Sequence, residues 1–515
     1  MKEILLLNLG RYGDLIQTTP LLRRLKKSYP SARVTLVLQQ RFSAILPLMT
    51  GYDRTLLFDQ DDLTRSLASA EGIPASFGAL DAFVTSAAQR RYDLVVNLTS
   101  SPFSEHLVAL LDCAAVAGKS SSNNGLPLVQ GSWALYLYSF LRGDSRRYNR
   151  INLADIFCKM AALHPDGLPV ELQETETGRS SAASLLTQAG VGTLPLVGLQ
   201  LGASDPGRCW PAASFARLSD LLQEKSGVRT ILLGSPAERP LALQARALMK
   251  HEPVDAVGKT DIQGLFSLLR HCTLLVSNDT GTMHFAAAGG IPTVMLTVGP
   301  ASFLCTGPLS AGNLALQPPL PCSPCRYDLS CSNPICRDSI SVQTVHKACR
   351  LLLGESPPLD GDMERVRLFR SGFGQDQYLE WQPLCNEEPA EEELTRRYSR
   401  LWKKVLDGDH RHADSTKPLS LELIRLTAEG SRVTGDIAAA ARQLPIPLEI
   451  MATLGKQEAQ VESAMRCLSS TTPHLAPLVD FTTIMKENIT ATDLYEIAAA
   501  TRDIYALGNR LAKLL

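Results

Sequence analysis

The chain has 515 residues, with 51 Lys and Arg against 52 Asp and Glu, and a formal net charge of −1. That balance excludes a protein held to nucleic acid by bulk attraction, which needs a basic face. Hydrophobic residues make up 45% and charged residues 20%. This excludes wholesale disorder, and the length allows roughly three domains of about 150 residues.

The first apolar run, Ile4–Leu9, is too short for an export signal and is interrupted by Arg11 and Asp14. It predicts a strand, as do Val34–Leu38, Thr55–Phe58 and Leu94–Leu98. Pro20–Tyr29, Phe42–Met49 and Phe77–Arg91 predict helices between them. Residues 120–192 are poorer in strand signals and read as a connection. A second alternating series predicts strands at Leu196–Leu201, Arg229–Leu233, Leu274–Ser277 and Thr293–Thr297. Helices are expected at Ala212–Glu224, Glu238–Met249, Gly264–Arg270 and Met283–Ala288. Two βαβ series imply two Rossmann-like halves, with the default ligand site in a cleft.

Thr280–Cys325 carries no charge, but Gly289, Gly290, Pro292, Gly299, Pro300 and Pro308 break any membrane-spanning helix there. Pro357, Pro358 and Asp360-Gly-Asp362 predict a linker with helices beyond it. Leu494, Ile497, Thr501, Ile504, Gly508, Leu511 and Leu515 form a seam at helical spacing, weakened by Thr501 and Gly508. It reads first as an appendage packed on itself, with a dimerisation or partner surface as the alternative. The twelve cysteines, eight scattered and four clustered, fit a reducing compartment better than a disulfide scaffold.

Four motifs carry chemistry. Gly10-Arg11-Tyr12-Gly13-Asp14 leaves the first strand and opens a helix, so Asp14 falls in the first turn, where an acid also complements the helix dipole. Gly202-Ala203-Ser204 leaves a strand and is followed by Arg208, a forked cation for an anion held by backbone N–H groups. Trp210-Pro211 reads as packing and helix entry. Asp279-Thr280-Gly281-Thr282-Met283-His284 spans a strand end and a helix start. That N-terminus, with the Thr280 and Thr282 hydroxyls, is expected to hold a diphosphate, unless Asp279 or Thr280 simply caps the helix. Cys322, Cys325, Cys331 and Cys336 lie in a Pro-rich loop at spacings that allow a structural zinc or iron, or four packed thiols. Gly258-Lys259-Thr260 mimics the end of a P-loop, but Pro253 stands where that loop needs glycine. Asp59/Asp61, Asp360/Asp362 and Asp407/Asp409 match Asp-x-Asp outside a strand-ending context.

Together, Gly13-Asp14, Thr18-Thr19-Pro20, Trp210-Pro211, Gly258-Lys259-Thr260 and Asn278–His284 resemble glycosyltransferase family 9, the ADP-heptose:lipopolysaccharide heptosyltransferases. Their order and spacing hold over roughly residues 1–353. The resemblance implies an α/β GT-B fold. Residues 1–175 would form an acceptor-side domain, 176–355 a nucleotide-sugar domain, and 356–515 a mainly helical extension. It implies inverting transfer of heptose from ADP-heptose to a lipid-linked saccharide acceptor, without a catalytic metal. Asp14 would be the general base, with Arg11 and Gly13 on the acceptor side. Ser204, Arg208, Lys259, Asp279, Thr280, Gly281, Thr282 and His284 would hold the donor. Arg208 stands where the family usually has lysine, which keeps the charge and changes its geometry. Thr282 replaces a common proline. A protein acceptor with a four-cysteine metal site, and a degenerate partner-binding chain, are the alternatives. The family's role places the chain in the cytoplasm, at the inner face of the inner membrane.

Overall fold

The structure, a computed structural model, describes residues 2–69, 72–122, 124–141, 145–326, 331–359, 363, 365–384, 390–408, 420–442, 448–491 and 493–514. The chain divides into two compact units. One holds residues 1–94, 112–114 and 151–388, the other 95–111, 115–150 and 389–515.

The first unit begins with three parallel strands, β1 (Glu3–Leu7), β2 (Arg33–Gln39) and β3 (Arg54–Phe58), with β2 between the others. Ile4, Leu5, Leu6 and Leu7 are all buried, a continuous apolar run suited to a strand covered on both faces. The helix predicted at Phe42–Met49 is a 3-10 segment, Gln40–Leu48, containing Pro47, which cannot donate an α-helical hydrogen bond.

Three strands belong wholly or mainly to the second unit. They are β4 (Leu94–Asn97), β5 (Val116–Ser121) and β6 (Pro127–Gln130), paired parallel and then antiparallel. The first unit resumes with β7 (Leu196–Gln200), β8 (Arg229–Leu233), β9 (Val254–Asp255), β10 (Cys272–Asn278), β11 (Thr293–Leu296), β12 (Leu314–Gln317), β13 (Arg367–Phe373) and β14 (Leu379–Pro383). Their order is β14-β13-β12-β11-β10-β7-β8-β9. From β7 the chain winds outward one way, then returns to β10 and winds the other. The β7–β10 boundary is therefore a topological switch point, and ligands bind at the carboxyl ends of such strands. Val197, Leu199, Leu274 and Val276 are fully buried at that centre.

The β13–β14 hairpin stands in the stretch past residue 356 that reads as mainly helical, and was not foreseen there. Its turn chemistry, Gly374 to Gln377 with Gln377 at φ 66°, is local, whereas a helical pattern needs a longer window. Asp360 and Asp362 lie outside the described residues.

In the second unit, helices at 390–406, 421–441, 448–471, 476–487 and 494–514 share a core with residues 95–150. Trp402 packs against Tyr136 and Phe481, with ring centroids 5.5 and 4.8 Å away. The Trp133 indole donates to Asp407 Oδ1 at 2.9 Å. Asn488 Nδ2 donates to the β6 carbonyl of Val129 at 2.6 Å, and Arg150 pairs with Glu392, both buried. The extension is thus not packed only on itself. Within it Thr501, Ile504, Gly508 and Leu511 are buried as the seam predicts, while Leu494 is exposed and Leu515 is outside the described residues. Gly508 strengthens the packing rather than weakening it, because a Cβ there would lie 2.8 Å from Thr482 Cγ2. Among the described residues, no helix is long and apolar enough to cross a membrane.

Candidate active site

The loops after β1, β7, β8 and β10 meet at a cleft of about 920 Å³ within the first unit. One wall is the helix α1 (Tyr12–Ile16), which carries Asp14 in its first turn. Asn8, buried at the end of β1, sets the turn: Nδ2 donates to the Asp14 carbonyl at 3.1 Å and to Thr18 Oγ1 at 2.8 Å. Asp14 Oδ2 accepts the Arg11 backbone N–H at 2.8 Å, so the acid completes the helix start while lining the cleft. Burial pushes its carboxyl above the ordinary carboxylate value, opposed by the Arg11 N–H and guanidinium. Arg11 and Gly13 line the same wall, Arg11 being exposed.

The opposite wall is the N-terminus of the helix α2 (Gly281–Ala288), which follows β10. Thr280, at the N-cap, makes no side-chain capping bond. The first-turn N–H groups therefore face the cleft without a side-chain cap, as an anion site requires. Ser277 Oγ donates to the Asn278 carbonyl at 2.6 Å and lies 3.2 Å from Thr280 Oγ1. Thr282 Oγ1 donates to Gln200 Oε1 at 3.0 Å. Arg208 pairs with Asp279 at 3.6 Å, and both line the cleft with Ser204. Asn278 fastens this arrangement, accepting the Trp210 N–H at 2.9 Å and donating to the Leu201 carbonyl at 2.8 Å. Trp210 is buried, its indole donating to the Ile340 carbonyl at 3.0 Å, a packing role.

His284, in the first turns of α2, is buried, and burial lowers its pKa to about 4, so the ring is neutral near pH 7. Its Nδ1 has no hydrogen-bond partner among the described residues. Lys259 departs from its expected place. It is exposed in a turn where Gly258 adopts φ 69°, and it does not line the cleft, although Thr260 and Asp261 do.

Sequence inspection missed Gln200, Glu238 and the apolar surface formed by Phe42, Ile262, Leu265 and Phe285, all lining the cleft. Glu238 was legible only as a helix-opening acid. Its place is set by the capping box with Ser235, whose N–H donates to Oε2 at 2.6 Å.

Cys325 is pushed up to about 11 by burial and by Cys322, Cys336 and Cys331. Among the described residues, however, no group of three or more His, Cys, Asp or Glu is arranged to hold a metal ion. Asp59 instead caps a helix by accepting the Asp62 N–H, Asp407 holds Trp133, and Asp409 is outside the described residues.

A switch-point cleft with a carboxylate on one wall and a helix start without a side-chain cap on the other suits an anionic ligand, and the chain's sequence relatives mark it as a glycosyltransferase. Residues 146–335 match the sequence model of glycosyltransferase family 9 (heptosyltransferase). It is 25% identical over 323 residues to lipooligosaccharide heptosyltransferase 2 of Haemophilus ducreyi, covering 60% of this chain and 86% of the relative. It is 26% identical over 293 residues to lipopolysaccharide heptosyltransferase 3 of Escherichia coli, covering 55% and 80%. In fold it is similar to a family 9 glycosyltransferase from Veillonella parvula (TM-score 0.54, 22% identity, 69% of this chain and 98% of that one). It is likewise similar to E. coli ADP-heptose lps heptosyltransferase II (TM-score 0.50, 19% identity, 68% and 98%).

Proposed function

We propose that the chain transfers heptose from ADP-heptose to a lipopolysaccharide inner-core acceptor with inversion, Asp14 acting as general base. One observation carries this reading: Asp14 and the uncapped start of α2 line the same cleft. Glycosyl transfer passes through an oxocarbenium-like state, the acceptor oxygen entering on one face as the leaving group departs from the other. Asp14 takes the acceptor hydroxyl's proton, the new C–O bond forms at the anomeric carbon, and the bond to the diphosphate breaks. Its raised pKa moves it toward the operating pH, which suits a base. Charge developing on the diphosphate is met by Arg208 and the first N–H groups of α2. The wall of Phe42, Ile262, Leu265 and Phe285 offers apolar surface to the nucleoside. The names of the similar heptosyltransferases support the sugar and the acceptor.

A lipid-linked acceptor also fits the helix Gly72–Ala88. Its only charge is Asp81, and it exposes Ile73 and Phe77, 53% and 70% accessible. This supports peripheral association with a membrane surface.

The test is thermal shift with ADP, UDP and GDP. A ligand at about a hundred times its Kd adds roughly 2.7 kcal/mol. The reading expects a shift with ADP; a shift with UDP or GDP alone overturns the donor. A structural zinc or iron on Cys322, Cys325, Cys331 and Cys336, accompanying a protein acceptor, is a second reading, favoured by the closeness of the other three thiols to Cys325 that its raised pKa reflects. Metal analysis of the purified chain tests it, and a stoichiometry near zero removes it.

A further inference from the structure

Gln200 ends β7 at the switch point, is 4% exposed, and lines the cleft. Its amide bridges two walls of the donor half. Nε2 donates to Glu238 Oε1 at 2.9 Å, and Oε1 accepts Thr282 Oγ1–H at 3.0 Å. The chemistry fixes this orientation, because an ionised carboxylate only accepts. The nitrogen must face Glu238, the amide oxygen then faces Thr282, and Thr282 must donate. Glu238 Oε2 is held in turn by the Ser235 N–H and Oγ, at 2.6 and 2.8 Å. Gly202 leaves room for this carboxylate, since a Cβ there would stand 1.8 Å from Glu238 Oε1.

A second chain of bonds has the same effect at Thr280. Ser277 gives its proton to the Asn278 carbonyl, so Thr280 supplies the proton of the Ser277–Thr280 bond. Both hydroxyls at the start of α2 thereby spend their protons inward. We infer that Gln200 is a positioning residue for the nucleotide diphosphate. It locks Glu238 against the cleft wall and turns the Thr282 proton away from the anion, leaving backbone N–H groups and Arg208 to bind the phosphates. Proline at 282 can make no such bond, so threonine here couples α2 to the Glu238 loop through Gln200.

This inference rests on the cleft being the donor site. The experiment uses the full chain, with ADP titrated by calorimetry at pH 8 and pH 5.5 and donor KM and kcat measured at pH 8. Q200E is isosteric but sets a second carboxyl against Glu238: at high pH the two ionise by moving apart, breaking the bridge, and at low pH a shared proton restores it. Relative to wild type at the same pH, ADP affinity should fall about tenfold at pH 8 and recover at pH 5.5. T282V should lose about 3- to 10-fold, the worth of one or two hydrogen bonds, and T282S should restore it. KM should rise while kcat holds. Equal affinity of Q200E and wild type at pH 8, or an equal loss at both pH values, overturns the role. Wild type failing to bind ADP at either pH instead strikes the proposed function, and this inference falls with it.

Discussion

Gly13 and His284 stand so close that a Cβ on Gly13 would lie 2.9 Å from Cδ2 of the imidazole. The buried ring cannot yield easily, so glycine at 13 is what lets α1 and α2 approach and brings Asp14 to the same cleft as the start of α2. G13A should force the two walls apart by a few tenths of an ångström or more. Misplacement on the order of 1 Å can cost about 10²-fold in rate. The expectation is a drop in kcat of about tenfold or more with ADP affinity little changed, read from steady-state kinetics beside calorimetry.

Asp14 gives a pH signature. Its folded-state pKa is raised, so the folded chain binds that proton more tightly than the unfolded chain. Its ionisation therefore costs stability, progressively as pH rises from the ordinary carboxylate pKa through the raised one. D14N should melt higher than wild type at pH 8, with the gap closing as pH falls below the ordinary value. In wild type the acid limb of kcat/KM should lie above the ordinary carboxylate pKa, because the base of the free enzyme must be ionised.

Arg208 should act on binding. Hydrogen bonds to charged groups are worth about 1.5–3 kcal/mol, so R208A should weaken ADP about 10- to 100-fold by calorimetry. R208K keeps the charge without the fork and should fall between. Unchanged affinity in R208A would remove the residue from the anion site.

The C-terminal helices should prove inseparable from residues 95–150. Trp402 is 2% exposed and touches Tyr136 and Phe481. W402A should cost about 3–5 kcal/mol, seen as a lower melting temperature. Ending the chain at residue 388 would uncover Trp133 and Tyr136 and should yield aggregated protein, which expression and light scattering would report.

The strands β1 to β4, β7, β8, β10 and β11 were legible because each is a short, mostly aliphatic run, as in Ile4–Leu7 and Leu274–Val276, whereas β5, β9 and β12, more polar or shorter, were not. Arg208 and Gly281, proposed here for the phosphates, could be singled out because that chemistry needs a cation and a bare helix start, and both line the cleft. Gln200 and Glu238 could not. They lie 38 residues apart and acquire meaning only when β7 and β8 lie side by side. Lys259 illustrates the reverse, since a motif placed it near phosphate while the turn at Gly258 leaves it exposed. The interlock of the helices with residues 95–150 was hidden for a similar reason: Asn488 and Val129 are 359 positions apart.

The most direct measurement is single turnover of ADP-heptose with lipopolysaccharide lacking inner-core heptose, comparing wild type and D14N at matched donor occupancy. Wild type should release ADP and extend the acceptor, while D14N should bind ADP with wild-type affinity and transfer about 10²- to 10⁴-fold more slowly. Transfer by D14N at the wild-type rate would contradict Asp14 as the base that couples the two walls of this cleft.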